Sequence, residues 1–306
     1  MTLRQAQDGS ETRCGLVAVI GAPNAGKSTL VNQLVGQKVA ITSAKAQTTR
    51  ARMLGIALHG DTQMVLVDTP GIFSPKRKLD RAMVSAAWDG ADSADAVLLM
   101  VDPIKQRRHE LEPLVEALAS RPERKILVLN KVDAAKKEPL LALAQELGEK
   151  VEFSEVYFVS ALTGDGVPEL KEALAGMMPE GPWMYPEDQV SDASERLLAT
   201  EITREQLYKQ LHEELPYDSA VRPEKYIQRP DGSVEIHQQI VVMRDNQRAI
   251  VLGKGGSRIK AIGQAAREEL AELLGQKVHL FLHVKTDERW SEDKEMFEEM
   301  GLEWKG

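Results

Sequence analysis

The 306 residues contain a single cysteine, Cys14. No internal disulfide can form, and without a cysteine cluster a structural zinc site is not expected. A reducing compartment, the cytosol, is the expected setting. Long hydrophobic runs are also missing. The longest strictly apolar stretch, residues 96–101 between Asp95 and Asp102, falls far short of the ~18 residues that signal a membrane-spanning helix. The opening MTLRQAQDGSETRC has no apolar h-region, so no secretory leader is expected. There is no repeat or low-complexity tract, and no excess of positive charge. With 39 basic and 47 acidic residues the net charge is −8, which argues against a protein that coats nucleic acid wholesale.

What remains is an ordinary globular composition, 42% hydrophobic and 28% charged, on a chain long enough for two domains. The acidic excess sits after residue 187, yet residues 244–267 carry Arg244, Arg248, Lys254, Arg258, Lys260 and Arg267 against one acid, Asp245. Such a basic island on an acidic domain marks a small, directed anion-binding surface. In the first part, β-rich apolar runs at 16–20, 64–67, 96–101, 126–129 and 156–159 alternate with helix-period segments such as 27–34 and 110–119. The alternation predicts βαβ units around a mostly parallel sheet, closed by a helix at 167–178. Residues 179–192, PEGPWMYPEDQVSD, hold three prolines and no periodicity, and read as a linker. The expected division is a first domain over 1–180, a linker over 181–192 and a second domain over 193–306. The second domain predicts a helix at 193–215, extended runs at 221–227 and 234–243, helices at 244–252 and 257–274, a strand at 277–285 and a terminal helix.

Two clusters of motifs carry chemistry in the first domain. GAPNAGKS (Gly21, Ala22, Pro23, Asn24, Ala25, Gly26, Lys27, Ser28) follows an apolar strand and opens a helix. Its glycines let backbone N–H groups wrap phosphates, Lys27 supplies charge to the β and γ groups, and the Ser28 hydroxyl can ligate Mg²⁺. The helix N-terminus faces the same anion. VLVDTPG delivers Asp68 toward the Mg²⁺ shell, followed by Thr69, Pro70 and Gly71, where the Gly71 N–H can sense a γ-phosphate. NKVD places Asn130, Lys131 and Asp133 after another strand. The Asp133 carboxylate can accept from guanine N1–H and the 2-amino group, which adenine cannot match. Lys131 can lie along the base plane, Asn130 can serve N7 and the neighbouring loops, and SAL (Ser160, Ala161, Leu162) can bring the Ala161 N–H to O6. In this order the motifs point to GTP rather than ATP.

These residues resemble the Era family of translation-factor-class GTPases, and the match covers nearly the whole chain. The resemblance implies a P-loop NTPase G domain with a mostly parallel sheet, followed by a smaller α+β KH domain. It also implies that QTTRA, residues 47–51, is a switch loop whose threonine contacts Mg²⁺; Thr49 is the preferred carrier, with Thr48 beside it. Ile72 stands where Ras-like enzymes have a water-orienting glutamine, so slow intrinsic GTP hydrolysis is expected. In relatives with this type of phosphate loop the asparagine helps to bind potassium. Asn24 occupies that place, and the competing reading is that it only tolerates an unusual loop φ.

VLGKGGSRIK puts Gly253, Lys254, Gly255 and Gly256 between two helices, with Arg258 and Lys260 next. This is the GxxG loop of a KH module, whose groove takes about four nucleotides of single-stranded nucleic acid. The order α-β-β-α-α-β resembles the bacterial, type II form. The family resemblance implies RNA rather than DNA: the 3′ end of small-subunit ribosomal RNA and the 30S particle, in small-subunit assembly. An RNA chaperone with nucleotide-regulated docking, or a membrane-associated signalling GTPase, are the alternatives. The resemblance further implies a cytoplasmic protein with loose, peripheral contact at the inner membrane, although no lipidation site or anchoring helix is seen. The charge run PKRKLDR at 75–81 reads as a solvated face, with an RNA or ribosome contact as the alternative. His279 and His283, on one strand without further ligands nearby, read as non-metal.

Overall fold

The computed structural model describes residues 12–43, 45, 48–50, 53–73, 75, 77–105, 108–212, 215–300 and 302–304. Two compact units, Met1–Asp192 and Ala193–Gly306, divide the chain. Gln47, Ala51 and Lys76, which belong to the expected switch loop and charge run, lie outside the described residues.

Strands β1 (Arg13–Gly21), β2 (Met53–His59), β3 (Thr62–Asp68), β4 (Ala96–Val101), β5 (Arg124–Leu129) and β6 (Glu155–Phe158) form the first unit's sheet, in the order β2-β3-β1-β4-β5-β6. All neighbours are parallel except β2 and β3. Parallel strands need covered faces, and the period of two sends alternate residues to opposite layers. Val17 and Val19 of β1 join a core with α1 (Lys27–Val35) and α5 (Val167–Met177). Ala18 and Ile20 join the opposite core, with α2 (Lys78–Asp92), α3 (Arg108–Ala119) and α4 (Lys137–Gly148). Each fully buried leucine or isoleucine contributes about 1.5–3 kcal/mol, so well-packed layers support the loops at the sheet's carboxyl ends.

Residues 179–192, expected to join the two domains, run as a strap along the first unit. Val190 O accepts from Ile56 N at 2.8 Å, Ser191 Oγ donates to Leu54 O at 2.8 Å, and Asp192 Oδ1 accepts from Leu54 N at 3.2 Å. Trp183 is buried with Cys14, Leu54, Val65 and Val67, and Gln63 Oε1 accepts from the N–H groups of Met184 and Tyr185. Aperiodic, proline-containing sequence predicts the absence of a helix, not the absence of contacts; the edge of β2 supplies partners that only the fold creates.

In the second unit, α6 (Glu195–Gln210), β7 (Ser219–Gln228), β8 (Val234–Val242), α7 (Asp245–Leu252), α8 (Ser257–Leu274), β9 (Val278–Thr286) and α9 (Lys294–Glu299) follow the expected order. The sheet runs β7-β8-β9, antiparallel then parallel. Its core gathers Leu207, Val221, Ile240, Val251, Ile262 and Val284, from all three strands and from α6, α7 and α8.

Candidate nucleotide site and RNA loop

The phosphate loop joins β1 to α1. Gly26 is the helix N-cap at φ 101°, and a Cβ there would fall 2.2 Å from Asn130 Nδ2; glycine alone fits both the backbone and the space. Asn24 also has positive φ, 64°, so the strain-tolerance reading of this asparagine describes its backbone. The Lys27 ammonium is buried and donates to Gly21 O (3.2 Å) and Ala22 O (3.0 Å). Burial pushes its pKa down to about 8, against the opposing pull of Asp68.

Three oxygens that the sequence scatters over forty positions meet beside this lysine. Ser28 Oγ lies 2.7 Å from Asp68 Oδ2 and 2.8 Å from Thr49 Oγ1, and Thr49 Oγ1 lies 3.2 Å from Asp68 Oδ2. Two hydroxyls and a carboxylate are hard oxygen donors, the set that Mg²⁺ accepts alongside phosphate and water. When bound, Mg²⁺ neutralises charge shared by the β and γ phosphates. Thr48 turns elsewhere, its hydroxyl donating to Lys45 O at 2.8 Å. The switch turn is fixed from behind: Thr69 Oγ1 donates to Val19 O at 2.7 Å, and Ile72 N donates to Gly21 O at 3.0 Å. The Ile72 side chain packs into the core with Ala18 and Ile20, so it contributes no polar atom to the cavity.

The base loop is bolted to the phosphate loop. Asn130 Nδ2 donates to Ala25 O at 2.7 Å, and Asn130 Oδ1 accepts from Ala161 N at 2.9 Å. The Ala161 N–H, expected at O6, here donates to the Asn130 side chain. Ser160 is fully buried, and its hydroxyl accepts from Thr163 N at 3.2 Å, shaping the turn. Asp133 and Leu162 face a cavity of about 310 Å³, whose walls also include Asn24, Lys27, Ser28, Thr49, Gly71 and Lys131. One cavity therefore brings together the phosphate, metal and base motifs. Sequence reading missed Ile41, Thr42 and Ser43, on the same wall, and Lys105. Asn32, whose side chain bonds Val39 N and Ala40 at 2.8–2.9 Å, holds the segment that leads to the first three.

In the second unit α7 ends at Gly253, a single 3-10 turn spans Lys254–Gly256, and α8 begins at Ser257. Lys254 and Lys260 are exposed. Arg258, expected on the RNA side, uses Nη1 to donate to Ile250 O at 3.0 Å, tying the helix after the loop to the one before it.

Residues 16–131 match the family model described as 50S ribosome-binding GTPase, and residues 214–291 match the KH domain model. GTPase Era of Erythrobacter litoralis (strain HTCC2594) is 80% identical over 297 residues, 96% of this chain and 98% of that protein. The chain belongs to the GTPase Era family. A Bradyrhizobium sp. (strain BTAi1 / ATCC BAA-1182) member is 56% identical over 99% of both chains. Two solved structures are similar, each at 36% identity over 95% of this chain and 99% of the other. They are a point variant of Aquifex aeolicus Era bound to GDP·AlF4⁻, with a TM-score of 0.89, and Era with MgGDPNP and nucleotides 1506–1542 of 16S ribosomal RNA, with a TM-score of 0.90. The first unit is accordingly a G domain, the second carries a KH domain, and the enzyme is a GTPase.

Asp102 is a further polar residue that sequence reading passed over. It follows β4 as Asp68 ends β3 and Asn130 follows β5. A polar side chain at the carboxyl end of a parallel strand lies where such sheets bind ligands, and that was the signal available.

Proposed function

We propose that the chain is a slow, GTP-hydrolysing switch that binds the 3′ end of small-subunit ribosomal RNA through its KH domain and assists assembly of the small ribosomal subunit. The observation that carries this reading is the likeness over 95% of the chain, at a TM-score of 0.90, to an Era structure containing MgGDPNP and nucleotides 1506–1542 of 16S ribosomal RNA. In this reading backbone N–H groups of residues 21–28, Lys27 and Gly71 bind the phosphates. Ser28, Thr49 and Asp68 hold Mg²⁺; Asn130, Lys131, Asp133 and the 160–162 loop read guanine. Asn24 contributes to a potassium site. Gly253, Lys254, Gly255, Gly256, Arg258 and Lys260 approach the RNA backbone. The working division is a G domain over 1–180 joined by 181–192 to the RNA-binding domain over 193–306. The protein acts in the cytoplasm on 30S particles, with peripheral inner-membrane contact; among the described residues no helix is long and apolar enough to cross a membrane.

Attack on the γ-phosphate depends on charge and positioning, since Ile72 offers no hydrogen bond to water. A single-stranded oligomer of the ribosomal 3′ end, titrated against protein loaded with a GTP analogue or GDP, tests the switch. Tighter binding with the analogue, together with faster turnover on adding RNA, is expected. Equal affinity in both states ends the switch reading, and turnover indifferent to RNA favours the chaperone alternative. Rates compared in K⁺ and Na⁺, with Asn24→Ala as control, test the potassium site.

A further inference from the structure

Lys131 and Asp102 form an ion pair that the nucleotide motifs do not require. Lys131 has an unusual backbone, φ 66°, and its side chain, in the cavity wall, reaches two acceptors. Nζ donates to Asn24 O of the phosphate loop at 2.9 Å and to Asp102 Oδ2 at 2.5 Å. The carboxylate is nearly enclosed, with 5% of its side chain exposed against 33% for the lysine. Its other oxygen accepts from Ile104 N at 2.9 Å and Lys105 N at 3.1 Å. Burial pushes the Asp102 carboxyl up, but the Lys131 ammonium and these two backbone donors hold it below the usual carboxylate range.

A lysine has four rotatable side-chain bonds, and holding it in one conformation costs rotamer entropy. If only ligand binding fixed it, that cost would reduce affinity. Here one end is held by the backbone of the base loop and the other by two acceptors on different loops. The stem is therefore extended beside the cavity before nucleotide enters.

We propose that Asp102 is a positioning residue for guanine-nucleotide binding, acting through the Lys131 ammonium to preset the lysine stem as one wall of the base pocket. The inference rests on the assignment of this cavity as the guanine site. Asp102 has no direct contact with base or phosphate in this role. Its effect travels through one side chain, and that makes it separable from general folding.

Asp102→Asn isolates the pair. The amide oxygen still accepts from Ile104 and Lys105, while the amide nitrogen cannot accept from an ammonium. Release of a fluorescent GDP derivative, followed by stopped flow, is expected to quicken about tenfold, with association changed less than about twofold. The KM for GTP is expected to rise with little change in kcat, because interactions shared by ground and transition states act on KM. In a Lys131→Met background, which keeps the stem and removes the ammonium, Asp102→Asn should add no further loss. Rapid GDP release that is additive in the two backgrounds assigns the effect to the turn and overturns the proposal. An unchanged release rate for Asp102→Asn, beside a clear defect in Lys131→Met, overturns it while leaving the guanine site intact. Unchanged binding by Lys131→Met removes both the proposal and the base-site assignment.

Discussion

Two glycine-rich loops, residues 21–28 and 253–256, each lead into a helix, and they differ in what surrounds them. Gly26 and Gly256 are both helix N-caps with left-handed backbone, at φ 101° and 77°. Around Gly26 the space is full, because Asn130 presses on the position where a Cβ would sit. At Gly255 and Gly256 a Cβ would find nothing within 4 Å. The first loop is therefore held to one shape by its own protein and suits a compact anion. The second is crowded only at Gly253, and at Gly255 and Gly256 it has open space into which a polymer's sugar–phosphate chain can come close. Similar local sequence is enclosed differently by the two folds.

The largest expected contrast is between Gly26→Ala and Gly255→Ala. The first should abolish measurable GDP binding and lower unfolding free energy by more than the ~1–2 kcal/mol of left-handed backbone strain alone, since Asn130 must also move. The second should cost only the ~1–2 kcal/mol of left-handed strain and leave GDP binding intact. Chemical denaturation and calorimetry check both, and equal destabilisation would erase the distinction between enclosed and open loops. Next in size, Asp133→Ala should weaken GTP about a hundredfold while leaving ATP, already poorly bound, little changed, so that discrimination collapses. Competition binding measures this.

A smaller effect is expected in the other loop. Lys254→Asp combined with Arg258→Glu should weaken a ribosomal 3′-end oligomer about tenfold. The slope of log affinity against log salt should become shallower by about 0.7 for each phosphate contact removed, with GDP affinity unchanged. Unchanged RNA binding would count heavily against the assigned groove. The smallest is a pH effect at Lys27. Its pKa is held near 8 without ligand, and phosphate charge must raise it, so binding takes up protons around and above pH 8. Affinity is thus full below pH 8 and falls several-fold by pH 9, less than tenfold per pH unit. Without ligand the sign for folding is opposite: the burial penalty is complete below pH 8 and is relieved as pH rises toward the ordinary lysine value. Calorimetry in buffers of different ionisation enthalpy detects the proton uptake.

Much of the architecture is legible along the chain. The expected helix at 257–274 coincides with α8, Ser257–Leu274, because a continuous apolar stripe and flanking glycines agree about both ends. The expected helix at 193–215 instead covers only Glu195–Gln210. Its apolar period continues through Leu211 and Leu215, but the backbone of Leu211 is already extended, and both leucines enter the core from beyond the helix. Strand β2 went unseen since MLGIALH, with Gly55 inside it, has no local signature of a strand. It is a strand because it pairs antiparallel with β3 and receives the strap at Ile56. Edge strands owe their state to such partners more than to intrinsic preference.

At the site the same division holds. Residue types and spacing were enough to nominate GAPNAGKS, DTPG and NKVD for a guanine nucleotide's phosphates, metal and base, because each motif is a local strand-to-loop device. Only the tertiary structure decided that Thr49 rather than Thr48 stands with Ser28 and Asp68, that the Ala161 N–H serves Asn130, and that Asp102 grips Lys131. Those choices turn on distances of a few ångström between loops far apart in the chain, and the packing of the parallel sheet sets such distances.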